Sequence, residues 1–379
     1  MAQIKKIFIV CGEPSGDLLA GNLINAIKNL DSNIKISGIG GTHLAKAGCE
    51  IFCDINELSV MGFFDVLKKL PKFFKLKKII LRKIDEDKPD AIILVDFSGF
   101  NLRLACAINK RIPVVYYVSP QIWASREGRI SCIKKFISMM VVLFKFEEEY
   151  YRQRQIQTAC VGHPLIDLVN PSSVKQDFLD TFGINPSKKI IALLPGSRKQ
   201  EVKLILPLML KAAQLVNKVI GETQFIIAKS PNLDMQIYLN KCKNLALDLK
   251  IVNGRTHDCL NIAQASLVCS GTATLEAAIL QKPFVIVYKT NLFNYLLYRP
   301  QVKIPYIGMV NIVAGKKVVP EFIQFGARPK MIAKSIIELL QNPASANRMS
   351  QDLRTVKDSL GQPGAAERAA KIILEFLQG

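Results

Sequence analysis

Two glycine-bearing turns and two carboxylates carry the chemistry legible in this sequence. Residues 265–289 read ASLVCSGTATLEAAILQKPFVIVYK. An apolar run from Ser266 to Cys269 ends at Ser270-Gly271-Thr272, a helical pattern follows from Thr274 to Leu280, and a second strand runs from Pro283 to Tyr288. A Gly turn between a strand end and a helix start leaves backbone N–H groups pointing outward, where an anion can sit. Glu276, in the first turn of that helix, is placed to accept hydrogen bonds from a ribose. A sugar nucleotide needs both kinds of group, although an ordinary strand–helix turn with a surface Glu would look the same. Leu194-Pro195-Gly196-Ser197-Arg198 follows another strand. There the planar Arg198 fork can pair with a phosphate and Ser197 can add bonds; the alternative is an Arg that is simply exposed. Asp96 ends the apolar run Ala91–Val95. An acid at that edge can deprotonate an acceptor hydroxyl, or it can cap the helix that follows. Gly12 to Asp17 forms a loop after the first strand, with Glu13 at the strand's carboxyl end. It is neither G-x-G-x-x-G nor a P-loop, so dinucleotide and triphosphate readings are weak. Of the three histidines, His163 reads as a packed residue, and none of His43, His163 and His257 has a visible Ser or Cys triad partner.

The elements that must position these groups alternate. In the first half, strands are expected at Ile7–Val10, Ile34–Gly38, Ala91–Val95, Val114–Val118, Met139–Leu143 and Ala159–Val161, with a helix at Leu18–Leu30. Asn170-Pro171-Ser172-Ser173 is a composition break. Alternation then restarts at Ile190–Leu194, Gln224–Ala228, Leu249–Val252, Ser266–Cys269 and Phe284–Tyr288. Strands alternating with helices argue for parallel sheets covered on both faces. The expected fold is α/β: two Rossmann-like, doubly wound domains facing a cleft, spanning residues 1–170 and 171–359. A final helix within about 360–379 is placed to pack back on the first domain.

The chain has 379 residues, 49% of them apolar, and a formal net charge of +20. That charge implies an anionic partner: nucleic acid, anionic lipid or a phosphorylated substrate. Residues 65–83 hold eight basic side chains against one acid, Asp65. Within residues 63–81 Phe63, Phe64, Val66, Leu67 and Leu70 share a helical face, Pro71 breaks the pattern, and Phe73, Leu76 and Ile80 resume it, with Phe74 adjoining. Such a stripe also suits a core-facing helix. The lysines shift the reading toward an amphipathic element on an anionic bilayer and away from nucleic acid. The nine cysteines are scattered without metal-ligand spacing, which reads as free thiols in a reducing compartment. No run of 18 apolar residues exists, so no bilayer-spanning helix is expected.

Eight blocks in order resemble the lipid-A-disaccharide synthase family, glycosyltransferases of the two-domain GT-B type. They include GEPSGD (12–17), GIGGTHLAKAGCE (38–50), ELSVMGFFDVL (57–67), VVYYVSPQIWASREGRI (114–130), LLPGSR, SGTATLEA and PYIGMVNIVAGKKVVPEFIQ (305–324). The Tyr-Val-Ser-Pro-x-x-Trp-Ala segment is the most specific. The resemblance implies transfer of 2,3-diacylglucosamine from UDP-2,3-diacylglucosamine to lipid X (2,3-diacylglucosamine 1-phosphate), without metal or other cofactor. It implies Asp96 as general base, Glu13 as an acid lining the cleft, and Arg198 on the diphosphate with Ser197. Gly271, Thr272, Thr274 and Glu276 would hold ribose and phosphates, and Asn311, Glu321 and Gln324 would lie near the nucleotide. It further implies a peripheral enzyme on the cytoplasmic side of the inner membrane of a Gram-negative-type bacterium, touching anionic lipids, with a homodimer possible. The sequence departs from the family at Ser98-Gly99, where Pro and a second acid are usual, and at Ser125, where Trp is common. Two alternatives are a related enzyme on a soluble UDP-sugar, such as a UDP-N-acetylglucosamine epimerase, and a basic, non-catalytic membrane- or nucleic-acid-binding module.

Overall fold

The computed structural model describes residues 5–55 and 66–378, so the expected membrane contacts Phe63 and Phe64 lie outside the described residues. The chain forms two compact units, Met1–Pro164 with Gly361–Gly379, and Leu165–Leu360. The first holds seven parallel strands: β1 (Lys6–Cys11), β2 (Lys35–Gly40), β3 (Glu50–Asp54), β4 (Ala91–Val95), β5 (Val114–Tyr117), β6 (Met139–Val142) and β7 (Thr158–Cys160). Their order across the sheet is β3-β2-β1-β4-β5-β6-β7, with Ile7 opposite Ile36 on one side and Ala91 on the other. The second holds β8 (Lys189–Leu194), β9 (Thr223–Lys229), β10 (Leu249–Asn253), β11 (Ala265–Cys269), β12 (Phe284–Tyr288) and β13 (Glu321–Ile323), in the order β10-β9-β8-β11-β12-β13, again parallel.

Both sheets reverse their winding once, between β1 and β4 and between β8 and β11. Open α/β sheets bind ligands at the carboxyl ends of such neighbouring strands. The central strands are apolar throughout because helices cover both faces. Along β8, Ile190, Ala192 and Leu194 enter one core and Ile191 and Leu193 the other, as the two-residue period of a strand requires.

Several boundaries differ from the sequence reading. The first long helix begins at Pro14 rather than Leu18, because a proline at the first helical position has its backbone angle already set. Asp17 therefore sits inside a helical turn. The helix Val66–Asp87 runs through Pro71, which removes one amide donor without ending the turns around it. The edge strands β3 and β13 carry no strand signal in the sequence: β3 has a mixed sequence, EIFCD, and β13 has three residues. The composition break at 170–173 is no free linker. Asp258 accepts from Ser172 Oγ at 2.8 Å and from the Ser173 amide at 3.0 Å, which fixes the segment within the second unit. The last helix, Ala365–Gln378, buries Ala369, Ala370 and Ile373 and packs against the helix Pro14–Leu30 of the first unit.

Among the described residues no helix is long and apolar enough to cross a membrane. His163 is buried against the Phe144 ring, and burial lowers its imidazole pKa from 6.5 to about 4. The folded state thus resists the proton that the unfolded chain takes up below its own pKa. The stability this neutral ring contributes is complete above about pH 6.5 and is lost as pH falls toward 4. Urea titrations of the wild type and His163→Gln should show their difference in unfolding free energy shifting by about 3 kcal/mol between pH 7 and pH 4. A pH-independent difference would exclude this role.

Candidate active site

In the first unit, Glu13 and Asp96 follow the two strands that flank the winding reversal. Glu13 is the residue preceding the helix Pro14–Leu30 and its side chain caps nothing. Asp96 and Phe97 both adopt left-handed backbone angles, φ 47° and 45°. For a Phe this is a strained conformation that the surroundings must enforce. Three side chains do so. Asn101, fully buried, donates from Nδ2 to the carbonyls of Val95 at 3.1 Å and Asp96 at 2.9 Å, and more weakly to Val10. The Tyr116 hydroxyl donates to the same Asp96 carbonyl. The Phe97 ring lies over Gly12, where a Cβ would come within 2.3 Å of it, so that position admits only glycine. The Asp96 side chain is thereby presented at the strand edge beside Gly16, where an added Cβ would stand 3.7 Å from that of Asp96.

The other motif residues of this unit are framework. Asp17 accepts from the amides of Gly41 at 2.6 Å and His43 at 2.9 Å and so caps the helix Thr42–Lys46. Gly38 is required because a Cβ there would strike the Ile9 carbonyl. In the Tyr-Val-Ser-Pro-x-x-Trp segment, Ser119 Oγ and Trp123 Nε1 both donate to the buried Glu147, at 2.7 and 3.0 Å. Arg129, from the same segment, reaches Ser98 Oγ at 3.4 Å, two residues beyond Asp96. Burial and the nearby Arg126 and Arg103 charges lower its pKa. Asn101, Tyr116 and Arg129 carry no signal of these roles in the sequence. A cavity of about 450 Å3 lined by Lys110, Lys134 and Gln157 opens at the amino ends of β5–β7, the edge away from Glu13 and Asp96.

In the second unit the loops after β8 and β11 are neighbours: a Cβ on Gly196 would lie 3.3 Å from Cys269 Sγ. Glu201 Oε2 accepts from the amides of Ser197 and Arg198 at 3.1 and 3.2 Å. This carboxylate shapes the turn and makes Gly196, at φ 107°, obligatory. The Arg198 side chain is 76% exposed, with only a 3.4 Å pairing to Glu201. Gly271 has φ 144°, and a Cβ there would meet nothing within 4 Å, so the space above this glycine is open. Thr272 beside it is exposed. Glu276 is largely buried; burial raises its pKa, opposed by His257, whose Nε2 lies 3.7 Å from the carboxylate. His257 is a further residue the sequence reading did not place in the site.

The other expected nucleotide residues are occupied within the protein. Thr274 Oγ1 donates to the Gly271 carbonyl at 2.8 Å. The fully buried Asn311 accepts from the amides of Val318 and Val319 and donates to the Val319 carbonyl and to Glu321. Glu321 in turn accepts from the amides of Ile307 and Gly308 at 3.0 and 2.9 Å. Gln324 is hydrogen-bonded to both the amide and the carbonyl of Thr290, each at 3.1 Å. Ser270 Oγ donates to the Ile307 carbonyl, which ties this frame to the Gly271 loop.

Two parallel sheets of this order, each with its loops gathered at the winding reversal, define the two-domain Rossmann-like fold of GT-B glycosyltransferases. Solved structures agree: the S. aureus MnaA–UDP co-structure matches with a TM-score of 0.66 at 14% identity, covering 99% of this chain and 97% of that one. CalG4, the calicheamicin glycosyltransferase, matches with a TM-score of 0.60 at 13% identity, covering 100% and 99%. At the level of sequence, the Lipid-A-disaccharide synthetase family matches residues 7–376, and the chain belongs to that family. The lipid-A-disaccharide synthase of Syntrophus aciditrophicus is 39% identical over 376 residues, 99% of this chain and 98% of the relative. That of Coxiella burnetii strain CbuG_Q212 is 36% identical over 371 residues, 97% and 98%.

Proposed function

We propose that this enzyme moves 2,3-diacylglucosamine from UDP-2,3-diacylglucosamine to the 6-hydroxyl of lipid X, giving a β-1,6-linked tetraacyl disaccharide 1-phosphate and UDP. The observation that carries the reading is Asp96, held in a strained backbone at the β1–β4 reversal by Asn101, Tyr116 and Phe97. Strain maintained by three side chains at a ligand edge marks a group whose position matters. Asp96 takes the proton of the acceptor hydroxyl as that oxygen bonds to the anomeric carbon of the donor. The bond from that carbon to the UDP β-phosphate oxygen breaks with inversion, and the departing charge is met by Arg198, by the Ser197 hydroxyl and by the amides of Gly271 and Thr272. Glu276 accepts from the ribose. Thr274, Asn311, Glu321 and Gln324 serve as the frame that holds these loops, a role their internal bonds support. Glu13 lines the acceptor side. Arg129, beside Ser98, takes the 1-phosphate of the acceptor.

Both substrates carry two acyl chains, so the enzyme works at a membrane, peripherally and on the cytoplasmic side of the inner membrane. The basic helix Val66–Asp87 is the proposed contact. Its Leu76, Ile80 and Ile84 face the core, whereas Phe74 is 56% exposed beside Lys77. Val66, Leu67, Leu70 and Phe73 lie in its first turns, where side chains fall outside the described residues.

Purified protein given both substrates should release UDP and form the disaccharide without added metal. An Arg129→Ala variant should raise KM for lipid X while leaving KM for the donor unchanged. Turnover of UDP-N-acetylglucosamine without acyl chains, with no disaccharide formed from the diacyl pair, would overturn the reading in favour of an epimerase-like enzyme. Steeply salt-dependent nucleic-acid binding without transfer would favour the basic binding module.

A further inference from the structure

The second unit carries an apolar surface that neither the nucleotide loops nor the core accounts for. The helix Leu292–Tyr298, sequence LFNYLLY, follows β12. Phe293 is 72% exposed and Leu296 61%, and Leu292 and Leu297 are exposed beside them. Phe325, 65% exposed, extends the patch, because its ring stands edge-on to Tyr295 at 6.0 Å. An ordinary surface helix hides its apolar stripe and shows its polar face. Here the largest apolar side chains point outward, and a contiguous patch of this kind marks an interaction surface.

Charge identifies what meets it. Residues 289–331 carry seven basic side chains and a single acid, Glu321. Glu321 keeps its charge, since its donors from Ile307, Gly308 and Asn311 are neutral, and Lys316 pairs with Asp352 at 2.8 Å, yet the basic side chains still outnumber the acid. Arg299 follows the helix directly, and Arg328 and Lys330 follow Phe325; all three are exposed. Bulky apolar side chains with exposed arginine and lysine close by in the chain are complementary to a bilayer with anionic headgroups, where the apolar groups enter the acyl boundary and the cations stay among the phosphates.

We propose that Leu292, Phe293, Leu296, Leu297 and Phe325 form a bilayer-docking surface of the second unit for anionic membranes, separate from the helix Val66–Asp87 of the first. The inference rests on the reading that the substrates lie in a membrane leaflet. Its test uses vesicles without any sugar lipid, so its failure is distinguishable from failure of the transfer reaction.

The full chain is sedimented with vesicles of phosphatidylglycerol and phosphatidylcholine. The triple variant Phe293→Ser, Leu296→Ser, Leu297→Ser should bind them more than about tenfold more weakly, since the loss of even one buried apolar side chain costs that order of affinity. Full-strength binding by this variant would overturn the proposal. A second variant, Phe293→Trp, tests insertion directly: vesicles with brominated acyl chains should quench its added fluorescence beyond that of the native Trp123. No added quenching would overturn the proposal too. Unchanged vesicle binding with a raised KM for the diacyl donor in detergent would reassign the patch to the substrate's chains. Loss of a concentration-dependent dimer with unchanged vesicle binding would reassign it to a second copy of the chain.

Discussion

Asp96→Asn is expected to lower the rate of transfer about 10²–10⁴-fold, the usual contribution of a positioned general base. The choice of Asn follows from the backbone. Asp96 sits at φ 47°, a region that Asp and Asn enter far more readily than other residues with a side chain. The bonds from Asn101 and Tyr116 go to the Asp96 carbonyl, which the substitution leaves intact. The variant should therefore fold normally and keep the wild-type affinity for UDP, while UDP release in the presence of both substrates collapses. An alanine variant would confuse loss of the base with added backbone strain. Wild-type turnover by Asp96→Asn would reject Asp96 as the base and leave Glu13, on the neighbouring strand end, as the next carboxylate to test.

The largest expected effect on stability lies at Asn311. Its side chain supplies two acceptor and two donor bonds in a site with no solvent exposure. Asn311→Ala strips partners from the amides of Val318 and Val319, the carbonyl of Val319 and the Glu321 carboxylate at once. Unsatisfied buried polar groups cost about 1–3 kcal/mol each, and a network of this size places the loss at about 3–5 kcal/mol. The urea midpoint of unfolding should fall accordingly. Asn311→Asp provides a control with a different signature. It keeps the acceptor for the two amides but sets a second carboxylate against Glu321, so its destabilisation should be greatest at neutral pH and shrink in acid, where one of the pair is protonated. A midpoint for Asn311→Ala equal to wild type would exclude the hub role and return Asn311 to the ligand surface.

The sequence disclosed the strands that are buried on both faces, because runs such as AIILV and IIALL have no other use in a chain of this charge. It also disclosed the loops at the two winding reversals, since Gly, Ser and Arg at a strand end have few structural purposes. It did not disclose β3 or β13, whose short edge segments lack a continuous apolar signal. More consequentially, it did not separate ligand-facing from self-satisfied polar groups. Glu276 and Glu321 look alike as acidic residues in the second domain. Only the fold reveals that the amides of Ile307 and Gly308 engage Glu321, while Glu276 is held chiefly by burial and a distant His257. In the same way Asp96 and Asp17 both follow first-unit strands, yet Asp17 is spent capping the helix Thr42–Lys46. The left-handed angles at Asp96 and Phe97 arise from Asn101, Tyr116 and Gly12, three contacts that no spacing rule links.

The return of the last helix to the first unit has a bearing on how the protein is made. Residues 165–360 form one uninterrupted piece, whereas the unit that begins the chain also contains its final 19 residues. Arg368 fastens this closing segment by donating to the Val161 carbonyl at 2.9 Å, and Gly361 passes so close to Gly162 that a Cβ would stand 3.2 Å from its Cα. Residues made at the outset must therefore wait until the segment Ala365–Gln378 has been made to obtain their last covering helix. The unit Leu165–Leu360 is whole before the closing helix is made, whereas the unit bearing Asp96 is completed only by that helix. The unit whose first strand is made earliest is thus the later of the two to be completed.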